Sequence, residues 1–375
     1  MAGLLAWRNL THDRSRFVVT LIGIIFAVVL VAVQLGLFLG FSDSATNIIR
    51  KTRADFWIAA KGTQNFEVAQ PISERELYQA RATPGVAHAE PLVLQFANWK
   101  KPGGGTESVM VLGADLNSGL AGPWDIVAGR REDLRRPDTV MIDRVVTDKL
   151  GVWEVNTTVE INERRQRVIG FTQGIRSFTT FPWIFTGLPN ARALMDFTTG
   201  QSNYVIGTFA PGADPATVRD TLTRNLPRVD VYLSADFAAR TLNYWMFTTG
   251  AGTSVLVSAV LGLLVGMVIV AQVLYATTVD HLAEFGTLRA MGAPRAFIYK
   301  VILGQAVISG TLGHIPGIAV SMLIARASEA GAAVILVPVL LAVELYGVTL
   351  TMCILASFVS IRKAMDIDPA MVFQR

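Results

Sequence analysis

Four histidines, one cysteine and two ionisable groups inside apolar stretches are the side chains that chemistry would use, and their spacing does not assemble them. His12, His88, His281 and His314 fall in segments too different in character to share a metal ion. Cys353 is the single cysteine and lies in the last apolar segment, so no disulfide framework forms within one chain. H-E-x-x-H, G-x-S-x-G and paired-cysteine spacings are absent, which leaves no candidate catalytic residue and no metal site. No G-x-x-x-x-G-K-[ST] supplies the phosphate cradle of a P-loop ATPase, so if ATP drives this protein another subunit binds it. Gly103-Gly104-Gly105 lacks a following Lys and helical pattern and reads as a hairpin or flexible loop. His314, before Pro316, and Glu344 remain; an ionisable group costs on the order of 3 kcal/mol at the centre of a membrane helix. They read either as polar points on a substrate route or proton relay, or as an interfacial Glu344 and a His314 bonded to a carbonyl freed by Pro316.

The chemistry left is recognition. Asp280 to Gln305, DHLAEFGTLRAMGAPRAFIYKVILGQ, is a charged run between two uncharged stretches, with a turn expected at Gly292-Ala293-Pro294. A segment that leaves a membrane, turns and re-enters has the shape of a docking element for a partner.

The elements that must position it follow from composition. With 51% hydrophobic and 17% charged residues and a mean hydropathy of +0.43, the 375-residue chain is an integral membrane protein. The net charge of +4 does not indicate nucleic acid, because the basic residues cluster beside apolar runs. Residues 17–42 carry no charge and exceed the roughly 20 residues a spanning helix needs, too long for a signal-peptide core. Further spans are expected at 246–279, 301–325 and 339–361, giving four transmembrane helices. Arg8, Arg14 and Arg16, then Arg289, Arg295 and Lys300, then Arg362 and Lys363 alternate correctly for one side, the cytoplasm. Both termini, the 280–300 loop and the 362–375 tail are therefore expected inside. Residues 1–16, with Leu4, Leu5, Trp7 and Leu10 on one face, read as an interfacial helix.

Residues 43–245 are expected outside as a mixed α/β domain between helices one and two. Strand-like runs are Asp55 to Ala59, Val86 to Ala97, Val109 to Gly113, Val168 to Thr172 and Tyr204 to Phe209. Ser73-Glu74-Arg75-Glu76 reads as a capping box, and Asp214-Pro215 as a cap with Pro at the first helical position. Two lobes are expected, 43–113 plus 203–245 and an inserted 114–202. Gly36/Gly40, Gly262/Gly266 and Gly313/Gly317 are G-x-x-x-G pairs that serve either packing within one subunit or a homodimer seam.

The chain resembles permeases of the FtsX/MacB type, the type VII class of ABC transporters. The resemblance rests on Ala6-Trp7-Arg8-Asn9-Leu10 leading to Arg16 and Leu21-Ile22-Gly23-Ile24, on Glu284-Phe285-Gly286-Thr287-Leu288-Arg289-Ala290-Met291-Gly292-Ala293, and on the tail Asp366-Ile367-Asp368-Pro369-Ala370. Ala54 to Ile58, Ser73 to Ala80 and Phe96 to Lys100 are similar to the DevC-like branch, named for glycolipid exporters. The resemblance implies a short helix around Glu284 to Met291 seated in a cleft of an ABC ATPase dimer. Phe285, Leu288 and Met291 would belong to that contact, Gly286 and Gly292 would permit close approach and sharp exit, and Glu284 and Arg289 would make polar contacts. ATP and Mg would reside in the partner, leaving this chain without cofactor or enzymatic activity. It further implies a homodimeric inner-membrane exporter with a periplasmic membrane-fusion adaptor, an outer-membrane duct and a glycolipid, lipid or hydrophobic cargo. Lipoprotein extraction, and mechanical activation of a cell-wall hydrolase without transport, are the alternatives.

Overall fold

The structure is a computed structural model and describes residues 2–12, 14–179, 181–197, 200–329, 331 and 334–365. In chain order the helices are α1 (Ala2–His12), α2 (Arg14–Lys51), α3 (Glu74–Arg81), α4 (Thr147–Leu150), α5 (Leu188–Leu194), α6 (Pro215–Asn225), α7 (Ser234–Asn243), α8 (Ala251–Asp280), α9 (Leu282–Ala290), α10 (Arg295–Ser328) and α11 (Val339–Met365). The strands are β1 (Phe56–Ala60), β2 (Ile72–Ser73), β3 (Val86–Lys100), β4 (Thr106–Ala114), β5 (Ile126–Ala128), β6 (Thr139–Asp143), β7 (Thr158–Ile161), β8 (Arg164–Thr172), β9 (Trp183–Gly187), β10 (Gln201–Ser202), β11 (Tyr204–Phe209) and β12 (Val229–Leu233). Two compact units divide the chain: Met1–Gly40, Thr253–Glu329 and Ala333–Arg375 form one, Phe41–Gly252 with Ala330–Ala332 the other.

In the first unit, α2, α8, α10 and α11 are the helices among the described residues long and apolar enough to cross a membrane. Without water to satisfy backbone groups, a helix is the way for a lone apolar segment to cross. The expected 17–42 span lies within an α2 that continues to Lys51, because neither Gly nor Pro follows Gly40 in that stretch. One side of α2 carries the packing. A Cβ on Gly313 would stand 2.5 Å from Ile24 Cγ2, and one on Gly317 2.8 Å from Val28 Cγ1. Gly262 and Gly266 of α8 receive Gln34 and Val31, and Gly36 and Gly40 receive the connection at Val334, Ile335 and Leu336. All three G-x-x-x-G pairs therefore meet other parts of this chain, which is the packing within one subunit that such pairs were expected to serve as one of two alternatives. Small residues matter there because lipid supplies no hydrophobic drive and close contact must come from shape.

His314 points at α11: its Nδ1 lies 3.2 Å from Thr349 Oγ1, and its ring sits 5.2 Å from Tyr346. Thr349 Oγ1 also bonds the Leu345 carbonyl at 2.8 Å, so its hydroxyl is shared between its own helix and His314. The expected bond to a carbonyl freed by Pro316 is thus replaced by a bond between helices. Glu344 is exposed on α11.

The second unit is built on one ten-stranded sheet in the order β12-β1-β11-β3-β4-β9-β6-β8-β5, with β7 pairing β3 and β8. Strand β3 joins its halves: Val86 to Leu92 pair with β11, and Val93 to Lys100 with β4. The expected lobe seam at 113/114 falls at the end of β4, which pairs in parallel with β9 of the inserted segment, so the sheet runs through it. Gly103 to Gly105 form the β3–β4 turn, with Gly104 and Gly105 at φ +96 and +85, where L side chains are strained. Phe56, Trp57, Ile58 and Ala59 are all buried, as a strand covered on both faces requires. Trp57, Phe66, Tyr204 and Phe237 pack on one face; Phe56, Ile58, Val205 and Leu222 belong to the cluster on the other. Ser73 caps α3 by accepting from Arg75 N at 3.2 Å, and Asp214 caps α6 by accepting from Thr217 N at 2.9 Å.

Candidate functional site

The segment between α8 and α10 folds as α9, and its local sequence explains why. Leu282, Phe285 and Leu288 recur every three residues on one side of the helix. Its end is closed by Met291 N donating to Thr287 O at 3.0 Å and Ala293 N to Leu288 O at 3.0 Å. Gly292 takes φ +90, which a residue with a Cβ adopts only under strain, and Pro294 then caps α10 from extended backbone.

Phe285 is fully buried, packed with Ala6 of α1, with Ile298, Val301 and Ile302 of α10, and with Ile361 of α11. Burying a phenylalanine contributes about 1.5–3 kcal/mol, so this contact decides how firmly so short a helix is held. Polar bonds fix its orientation. Asn9 Nδ2 donates to Glu284 Oε2 at 3.3 Å, and Glu284 Oε1 lies 3.2 Å from His281 Nδ1. Ala6, Asn9 and Leu10 of α1 are buried, while Trp7 is exposed. Helix α1 is therefore an internal support of α9 and α10 on one face, in addition to the interfacial face expected for it.

The residues singled out for docking separate into two groups. Glu284, Met291 and Gly292 are exposed, Met291 at 72%. Phe285 and Gly286 are buried and Leu288 is half-buried. Within this chain Phe285 is thus covered by its own cluster, and Gly286 is buried beside it. The side chain of Arg289 and the tail Asp366 to Ala370 lie outside the described residues. The exposed edge of α9 thus carries both a carboxylate, Glu284, and an apolar side chain, Met291, on a buried support. Among the described residues no group of three or more His, Cys, Asp or Glu comes together as a metal site.

Among the buried acids of the α/β unit, Glu67 and Asp143 were not evident from the sequence. Glu67 accepts from Ser177 Oγ at 3.0 Å and Thr179 Oγ1 at 3.1 Å, and burial holds its carboxyl above the ordinary carboxylate range against those bonds. Asp143 is fully buried and accepts from Thr172 Oγ1, Val145 N, Gly174 N and Ile175 N at 2.7–3.1 Å, tying the end of β6 to the loop after β8. Nothing in the local sequence distinguishes either from a surface acid.

Comparison with known proteins gives the setting. The model of the MacB-like periplasmic core domain matches residues 17–225, and that of the FtsX-like permease C-terminal region matches residues 256–369. An uncharacterized ABC transporter permease of Mycobacterium tuberculosis is 25% identical over 372 residues, covering 98% of each chain. Another, from Mycobacterium bovis, is 24% identical over 371 residues, again covering 98% of each. The crystal structure of the periplasmic region of MacB from Actinobacillus actinomycetemcomitans aligns at 10% identity and TM-score 0.38, covering 51% of this chain and 94% of that one. The extracellular domain of the noncanonic ABC-type transporter YknZ from Gram-positive bacteria aligns at 13% identity and TM-score 0.35, covering 48% and 98%.

Proposed function

Since the chain belongs to the family that joins a MacB-like periplasmic core domain to an FtsX-like permease region, we propose that it is the membrane subunit of an ATP-driven exporter whose α9 receives the motion of a separate ATPase. The protein is a multi-pass inner-membrane ABC transporter permease with an extracytoplasmic α/β domain between its first two spans. The observation that carries the reading is the anchorage of α9. Phe285 ties it to α1, α10 and α11 at once, so a push on its exposed edge is passed to the helix bundle without first bending the loop. In this reading both termini and α9 are cytoplasmic, and two ATPase subunits hold ATP and Mg. A second copy of the chain completes the permease.

The proposed cargo is a glycolipid, another lipid or a hydrophobic compound, delivered through a periplasmic adaptor and an outer-membrane duct. The similarity of Ala54 to Ile58, Ser73 to Ala80 and Phe96 to Lys100 to the DevC-like branch supports this finer reading. The test is a gentle-detergent pull-down of the tagged full chain with mass spectrometry, run in parallel on Glu284→Lys and Met291→Glu. Recovery of an ATPase with the parent and its loss from both variants is expected. Unchanged ATPase recovery with the variants overturns the docking assignment. An adaptor and duct among the recovered proteins supports export, whereas a cell-wall hydrolase or a soluble lipoprotein chaperone would replace it with the corresponding alternative.

A further inference from the structure

In the α/β unit a cavity of about 270 Å3 is walled by Lys51, Arg53, Arg131 and Trp124, together with the backbone from Gly119 to Pro123. Its lining holds three cationic side chains and no carboxylate. The three come from two places, the end of α2 and the short 3₁₀ turn Arg131–Arg135 after β5, so the fold and not one charged run gathers them. Like charges in a concave, partly dehydrated site repel, and such a grouping is stable when an anion offsets it.

The C-terminal dipole of α2 favours Lys51 and Arg53 by itself. It does not account for Arg131. That guanidinium is half-buried, with Nη2 donating to the Ala121 carbonyl and a buried Nε that has no hydrogen-bond partner. Two acids act on it, Glu90 more strongly than Glu132; Glu90 is fully buried, with Oε2 3.0 Å from His88 Nε2. Burial holds Arg131 below its ordinary value; Glu90 and Glu132 oppose that effect and Arg53 adds to it. Arg53 is held by its backbone, N to Leu120 O at 2.9 Å, while among the described residues neither its side chain nor that of Lys51 is hydrogen-bonded or paired with an acid. The wall thus carries three cations, two of them with unpaired side chains, and Trp124 as an aromatic face beside them.

We propose that this cavity binds a phosphate group, carried by a lipid headgroup or free in solution. Two planar guanidinium forks and an ammonium match the several acceptor oxygens and the double charge of a phosphate better than a single carboxylate. Trp124 gives a surface for the apolar or sugar portion that a headgroup adds. The site is independent of α9, so its failure and the failure of the ATPase-docking reading are separate results.

The test uses the purified full chain in detergent, titrated calorimetrically with inorganic phosphate and with dihexanoyl phosphatidic acid below its critical micelle concentration. Saturable binding is expected, weakened by about tenfold or more in Arg53→Gln, the loss of one charge-assisted hydrogen bond to the anion. Arg131→Lys, which keeps the charge but not the fork, should weaken it as well. Arg219→Gln, on α6 and outside the cavity lining, should leave it unchanged. Phosphatidic acid binding at least tenfold tighter than phosphate identifies a headgroup site; equal affinities identify a site for the free ion. Absence of binding by the parent, or binding unchanged in Arg53→Gln with native elution on gel filtration, overturns the proposal.

Discussion

Phe285 and Met291 divide the work of α9 between holding and presenting, and that division can be measured. Phe285→Ala removes a fully buried ring and should cost about 3–5 kcal/mol of local stability, seen as a lower apparent melting temperature in fluorescence-detected gel filtration. Met291→Ala, on the exposed edge, should stay within about 0.5 kcal/mol. Equal shifts in the two would sink the separation. Glu67 adds a pH-dependent contribution in the other unit. Its ordinary value is near 4.5 and burial raises it in the folded state, so the native chain retains a proton where the unfolded chain has lost it. Its contribution to stability is therefore fully present below about pH 4.5 and is lost as pH rises through the raised value. Glu67→Gln removes the titration, and the variant's stability relative to the parent should increase from about pH 4 to about pH 7.5. A difference that does not change with pH would rule out the burial of an ionisable Glu67 as the cause.

At the level of elements, the close approaches of α2 explain which glycines are replaceable. Gly313→Leu drives a side chain into Ile24 and should destabilise by about 1–3 kcal/mol, whereas Gly347→Leu on α11 has open space around it and should have little effect in the same melting assay. The spans were legible from sequence because bilayer thickness sets a length that an uncharged run either meets or does not. So were Phe56–Ala60, Val86–Lys100 and Tyr204–Phe209, whose apolar runs are long or flanked by turn residues. Trp183–Gly187, Thr139–Asp143 and Val229–Leu233 were not, since each is a five-residue stretch whose burial comes from pairing with strands distant in sequence. The same reason hid the role of α1. Helix α9 and its glycine exit were visible locally, but the bond from Asn9 to Glu284 joins opposite ends of the chain. A G-x-x-x-G pair likewise announces a close contact without naming the partner, which for Gly36 and Gly40 is the connection before α11.

For the whole molecule, the testable quantity is sidedness. Cys353 is fully buried, so the parent chain should be silent to a membrane-impermeant maleimide and serve as its own background. Thr106→Cys, on the exposed turn into β4, is expected to react from outside the cytoplasmic membrane. Met291→Cys is expected to react only after permeabilisation. Labelling of both from one side would reverse the proposed orientation of α9. The packing of α2 also has a consequence for how the protein is made. This helix leaves the ribosome before α8 and α10, whose glycines receive it, and before the connection that packs on Gly36 and Gly40, and Phe41–Gly252 must be synthesised in between. At about 5–20 residues per second, α2 waits in the bilayer for on the order of ten seconds or more with its packing side bare to lipid. Assembly of the bundle is thus paced by translation of the extracytoplasmic domain, and a slow codon run in that domain would prolong the interval in which the nascent chain is exposed to membrane proteases.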